Sequence, residues 1–172
     1  MTSELSVTGA DADLRDKVTD FLYAEAELLD EREFVRWFEL FDDDCTYWVP
    51  AGADEPDPSR TVSLVYDTHA TLSERVWRFE GGLAYAQQPA SVTSHLISNV
   101  VVDAVTAEAG STLVSVHSRF LVSEFRGDVV TPYAGRYDHV LVVGADGGFR
   151  IRSKRVALIG RNGHLGNLGL PL

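Results

Sequence analysis

The C-terminal half of the sequence carries its strongest constraint: long β-branched and aromatic stretches cut apart by glycine turns. The stretches are SHLISNVVVDAV, TLVSVHSRFLVSEF, YAGRYDHVLVV and FRIRSKRVALI, and the breaks are Ala109-Gly110, Gly127-Asp128 and Asp146-Gly147. Each break is a hairpin signal, because tight two-residue turns need the positive φ that Gly and Asp tolerate. The pattern predicts an antiparallel meander.

The N-terminal half reads differently. Residues 1–12 are small and polar and are expected to fray. From Asp13 the apolar positions Leu14, Val18, Phe21, Leu22, Leu28 and Leu29 recur at the helical period, with Asp11 or Asp13 offering the N-cap. A second short helix is expected over Glu31 to Phe41, with Phe34, Trp37, Phe38 and Phe41 on one side. The run Asp42-Asp43-Asp44 suits a helix C-terminus poorly and marks its exit. CTYWVP is a strand closed by Pro50, residues 51–61 (AGADEPDPSRT) are a loop, and Val62 to Tyr66 is a short strand. Leu72, Val76 and Phe79 predict a third helix that stops at Gly81-Gly82. About three helices ahead of a strand meander is the α+β pattern: a bent antiparallel sheet packed on helices. Trp37, Phe38, Phe41, Tyr47, Trp48 and Trp77 are the expected aromatic core. Without a composition break or a repeat, residues 1–172 read as one domain, with 161–172 a glycine-rich tail.

Pairing the hairpins by their turn centres sets His117 opposite Asp138, and Asp138 opposite Arg155. Alternation then collects His117, Arg119, Arg136, Asp138 and Arg155 on one face. Val114, Val116, Phe120, Tyr137, Leu141, Val156 and Leu158 take the other, which is the face for the helices. A His–Asp pair suits a general base, but a cross-strand salt network is the simpler reading, because catalytic pairs need a pocket.

Composition narrows the functions. The net charge is −11 and the pI about 4.7, and a surface that acidic repels phosphate backbones and anionic lipid. The single cysteine, Cys45, cannot form an internal disulfide. Nor can it supply the two thiolates of a Rieske cluster or the four of a structural zinc site. The five histidines fall in no HxH, HxxxH or HxxE arrangement, so no local chelate is written. GxSxG, Walker and GxGxxG patterns are missing too. Cys45 opens an apolar strand and reads as a small buried hydrophobe. With no basic leader and no long apolar run, a cytoplasmic location is expected.

With these residues in place, the sequence resembles the small (β) subunit of aromatic-ring-hydroxylating dioxygenases, the benzoate-type branch in particular. The resemblance is carried by FLYAEAELLD (Phe21 to Asp30), Trp37, Leu40 and TYWVP (Thr46 to Pro50). It continues in order through SLVYD (Ser63 to Asp67), ERVWR (Glu74 to Arg78), TSHLISNV (Thr93 to Val100) and KRVAL (Lys154 to Leu158). Two departures stand out: Val92, Thr93 and Ser94 precede His95 where the family often has an arginine, and Gly160, Gly163, Gly166 and Gly169 loosen the tail.

The resemblance implies a cone-shaped sheet wrapped on helices, as in nuclear transport factor 2 and scytalone dehydratase. It implies a large (α) subunit that carries the Rieske 2Fe-2S cluster, the mononuclear iron and the substrate pocket, with no cofactor in this chain. It also implies a hexamer of three α and three β chains, in which the β subunit is architectural. The assembled enzyme adds both atoms of O₂ to an aromatic compound with electrons from NADH, in aromatic-compound catabolism. On that reading, the face of His117, Arg119, Arg136, Asp138 and Arg155 is the candidate subunit interface, since arginine is favoured at interfaces. The alternatives are a free-standing cone-fold dehydratase or isomerase, or a small-ligand binding protein of the same fold. The enzyme would use Asp43, Tyr47, His95 and His117 for acid–base work, with Asn99 orienting. Fold alone does not choose among them.

Overall fold

In the computed structural model, which describes residues 9–51, 57–80, 89–160 and 171–172, helices α1 (Gly9–Asp30) and α2 (Phe34–Phe38) lead into strand β1 (Phe41–Pro50). There follow β2 (Ser63–Thr68), α3 (His69–Glu80), β3 (Val92–Glu108), β4 (Ser111–Arg126), β5 (Val129–Val143) and β6 (Phe149–Leu158). The N-terminal segment before residue 9, residues 52–56 of the loop, the Gly81-Gly82 stop and tail residues 161–170 lie outside the described residues. No helix among the described residues is long and apolar enough to cross a membrane.

The hairpins fold as their turn residues dictate. Ala109 and Gly110 (φ 48° and 85°) join β3 to β4, and Gly127 and Asp128 (φ 55° and 65°) join β4 to β5. The sheet has six strands in the order β2-β1-β6-β5-β4-β3. Its one departure from the expected antiparallel pairing is β1 against β6, which run parallel, so the sheet is mixed. Those strands are far apart in sequence, and no turn chemistry marks their meeting.

Alternation divides the sheet as expected. Val114, Val116, Phe120, Tyr137, Leu141, Val156 and Leu158 are all buried, against α1 residues Val18, Leu22 and Leu29 and α2 residue Trp37. Phe120 stacks on Tyr137 with ring centroids 4.0 Å apart, and Gly135 makes room for it. A Cβ at Gly135 would stand 2.8 Å from the Phe120 ring.

Five local expectations need correction. α1 starts at Gly9, so Asp11 and Asp13 lie inside the helix and do not cap it. α2 is only five residues long, because Leu40 and Phe41 are taken up by β6: Ile151 N–H donates to the Leu40 carbonyl at 2.8 Å. The aspartates Asp42 to Asp44 therefore open β1 instead of closing a helix, with Asp42 paired to Arg152 at 2.5 Å. Trp77 is 64% exposed, since the core side of α3 is held by Leu72 and Val76, and Trp77 points about 100° away from Val76. Trp48 is buried, but it pairs in register with Arg155 and so lies on the face opposite the helices.

Candidate functional site

The sheet face turned away from α1 carries the polar row. Asp138 stands between His117 and Arg155 in register, as the turn centres predict. Its carboxylate accepts from Arg136 Nε at 2.6 Å and from Arg155 Nη1 at 3.0 Å. The Arg155 guanidinium lies over the Trp48 ring, 5.1 Å from its centroid, and Trp48 Nε1 donates to Ser63 Oγ at 2.9 Å. His117 turns away from Asp138 and takes Asp103 of β3 as its partner at 2.8 Å. Both members of that pair are partly open to solvent, the setting of a surface ion pair. Arg119 sits directly across from Arg136, exposed and without an ion-pair partner among the described residues.

The row continues into an apolar half that reading the sequence missed. Val92 faces Phe125, which faces Val130, and Leu96 faces Leu121 on the same outer surface. Their exposure runs from 42% for Leu121 to 62% for Leu96, Val92 and Val130. These two exposed apolar rows, with Ser94, Ser123 and Pro132 between them and arginines beside them, have the make-up of an interface core. The signal was present: Leu121 and Phe125 share the alternation of Arg119, so their side chains had no core to enter.

The interior holds a charged cluster, also missed. Glu25 of α1 accepts from Lys154 Nζ at 2.6 Å and Trp37 Nε1 at 3.1 Å, and its other oxygen meets His139 Nε2 at 3.2 Å. All three ionisable groups are buried. Lys154 and His139 are direct cross-strand partners, and alternation with Val156 and Tyr137 places both on the core face. Burial pushes the Glu25 carboxyl up, but the Lys154 ammonium and the His139 ring outweigh it, and the group is held well below the usual carboxylate range. Burial lowers Lys154 in turn, against the pull of Glu25.

The acid–base set considered from sequence does not come together. Asp43 is fully exposed, 3.9 Å from His69. Tyr47 is buried, and its hydroxyl accepts from the Leu172 N–H at 3.0 Å, which seats the last residue of the chain in the core. Burial raises that phenol well above its ordinary range. His95 is closed to solvent with Nδ1 2.5 Å from Asp30, while His117 occupies the opposite face. Asn99, at φ 53°, is exposed at the β3 bulge. Burial, reinforced by Asp42 to Asp44, pushes the Cys45 thiol up to about 11, the environment of an unreactive thiol. Among the described residues no three His, Cys, Asp or Glu side chains gather as a metal set.

Comparison with known proteins places this geometry. The family model described as "Ring hydroxylating beta subunit" matches residues 24–162. The chain is 37% identical over 146 residues to the small oxygenase component of the p-cumate 2,3-dioxygenase system of Pseudomonas putida, covering 84% of this chain and 78% of that one. Among solved structures it superposes on the β subunit of benzoate 1,2-dioxygenase from Burkholderia mallei with a TM-score of 0.70 at 25% identity, over 96% of this chain and 99% of the other. A chain of naphthalene 1,2-dioxygenase with indole bound gives a TM-score of 0.81 at 19% identity, over 94% and 87%, a likeness of fold.

Proposed function

The chain belongs to the ring-hydroxylating dioxygenase β-subunit family, and from that premise we propose that its contribution to the enzyme is architectural. It is the small subunit of a multicomponent dioxygenase and associates with a large (α) subunit. On our reading, both iron centres and the aromatic substrate lie in the large subunit, and this single domain holds the assembly together as three α and three β chains. The electrons come from NADH through a separate reductase.

The observation that carries the reading is the contrast between the two faces of the sheet. The inner face is closed by Trp37, Tyr47 and Tyr137 around the paired Glu25, Lys154 and His139. The outer face offers an apolar patch beside Arg119, Arg136 and Arg155, the composition that subunit interfaces favour. His117, Arg119, Arg136, Asp138 and Arg155 are accordingly read as interface residues. A dehydratase or isomerase needs an acid and a base converging on one cavity, and Asp43, Tyr47, His95 and His117 have separate surroundings.

The test is turnover by the assembled enzyme. His117→Gln and His95→Gln leave the hydroxylation rate per assembled complex within about twofold of wild type, whereas loss of a general base typically costs roughly 10²–10⁴-fold. A rate that collapses in either variant while the complex stays assembled contradicts an architectural role.

A further inference from the structure

We propose that the outer sheet face of one copy docks on the acidic end of α1 in a second copy, with Arg119 meeting Glu27 and Glu31. The inference rests on the β-subunit reading and names which of its surfaces touch.

Each surface is electrostatically incomplete in the single chain. Arg119 stands opposite Arg136 in register, and like charges directly across a strand pair repel. Arg136 and Arg155 share Asp138, which leaves Arg119 the unpaired cation of the row among the described residues. Glu27 in the last turn of α1 and Glu31, the residue after its end, lie four residues apart, both exposed, with Glu31 N–H donating to the Glu27 carbonyl at 2.9 Å, and that last turn contains no basic residue. Like charges at that spacing repel, and acids at a helix C-terminus oppose its dipole. Neither glutamate has an ion-pair partner among the described residues. Arg36 of α2 lines a groove with Glu27 and Glu31 but makes no ion pair with either among the described residues, and Arg119 stands unpaired beside an apolar patch.

Shape and apolar content agree with the charge. Glu27 and Glu31 edge a cleft of about 440 Å³ between α1 and β3, with Tyr23, half exposed, and Leu96 on its walls. Val92, Leu121, Phe125 and Val130 supply the apolar centre on the other side of the contact, with Arg119 beside it, the anatomy of an apolar core with an arginine. Leu96 belongs to both surfaces, so they adjoin without being the same patch. A contact between two different patches is heterologous and generates a ring where its rotation closes; three β chains around an axis form such a ring.

The experiment is a charge swap in the full chain, read by sedimentation velocity of the chain alone and by co-purification with its cognate α subunit. Arg119→Glu, and Glu27→Lys with Glu31→Lys, each raise the self-dissociation constant about tenfold or more, and the three together recover most of the loss. The positions are exposed and Arg119→Glu relieves its like-charge contact with Arg136, so the thermal midpoint of each variant is no lower than that of wild type, which certifies the fold. Self-association unaffected by Arg119→Glu, a combined variant no better than the separate ones, or a wild-type chain that stays monomeric overturns the inference. So does an Arg119→Glu chain that self-associates normally but no longer binds α, which assigns the face to the large subunit. Failure of the wild-type chain to co-purify with α overturns the subunit reading instead, and the swap result stands independently of it.

Discussion

Lys154 Nζ stands 2.6 Å from Glu25 Oε1, with both side chains closed to solvent, so one buried charge pair joins α1 to β6 across 129 residues of sequence. His139 and Trp37 complete the shell around the carboxylate. Glu25→Ala leaves an ammonium buried without its counter-charge and costs about 3–5 kcal/mol. Replacing both partners by apolar residues, Glu25→Leu with Lys154→Met, costs far less, because no charge is then left unpaired. Urea unfolding of the two variants measures the difference, and equal losses contradict the pairing.

The aromatic core predicts opposite results for two tryptophans. Trp37 is fully buried and meets Phe41 edge-on at 4.9 Å, so Trp37→Ala costs about 3–5 kcal/mol. Trp77 is mostly open to solvent, and Trp77→Ala stays within about 0.5 kcal/mol of wild type. Thermal melts that rank the two the other way place the core on the wrong side of α3.

Gly135 is required for a reason that burial alone does not reveal. A methyl group there runs into the Phe120 ring and the Ala157 backbone, and the stacked Phe120–Tyr137 pair has no slack to yield. Gly135→Ala costs about 1–3 kcal/mol by overpacking, and Phe120→Leu in the same chain recovers part of the loss. An alanine variant as stable as wild type contradicts the close approach.

Stability should fall on the acid side of neutrality because of His95. Its ring is lowered first by burial, while the Asp30 carboxylate opposes the shift, Lys154 adds to it and Glu25 opposes it. The folded ring therefore binds its proton at lower pH than the unfolded one, whose pKa is about 6.5. In that window the unfolded state holds more protons, so unfolding free energy is full above the unfolded pKa and declines as pH falls toward the folded one. His95→Gln flattens that slope. A midpoint independent of pH from about 7 to about 5.5 in wild type contradicts the sign.

Hairpins and sheet faces were legible because both rest on local rules. Gly127-Asp128 and Ala109-Gly110 announce their turns, and once the turns are set, alternation fixes that Val156 goes in and Arg155 goes out. What escaped depends on pairing between distant residues. Nothing near Asp42 announces Arg152, so the acidic run looked like a helix exit. Nothing in α1 shows that Glu25 will meet Lys154, although Lys154 sits in register between core positions and a charge there demanded a partner. The outer apolar patch is written in Leu121 and Phe125, which share the alternation of Arg119, but its partners Val92, Leu96 and Val130 join it only through the pairing of β3, β4 and β5. His117 illustrates the limit of register: its opposite residue is Asp138, yet its side chain reaches Asp103 on the other neighbouring strand.

Native mass spectrometry of this chain co-expressed with its cognate α subunit tests the central claim most directly. The account predicts one complex with α and β in equal numbers, three of each, in which the bound iron travels with the α chain when the subunits are separated. A β chain recovered alone from the same cells, free of α at concentrations where both are abundant, would contradict it.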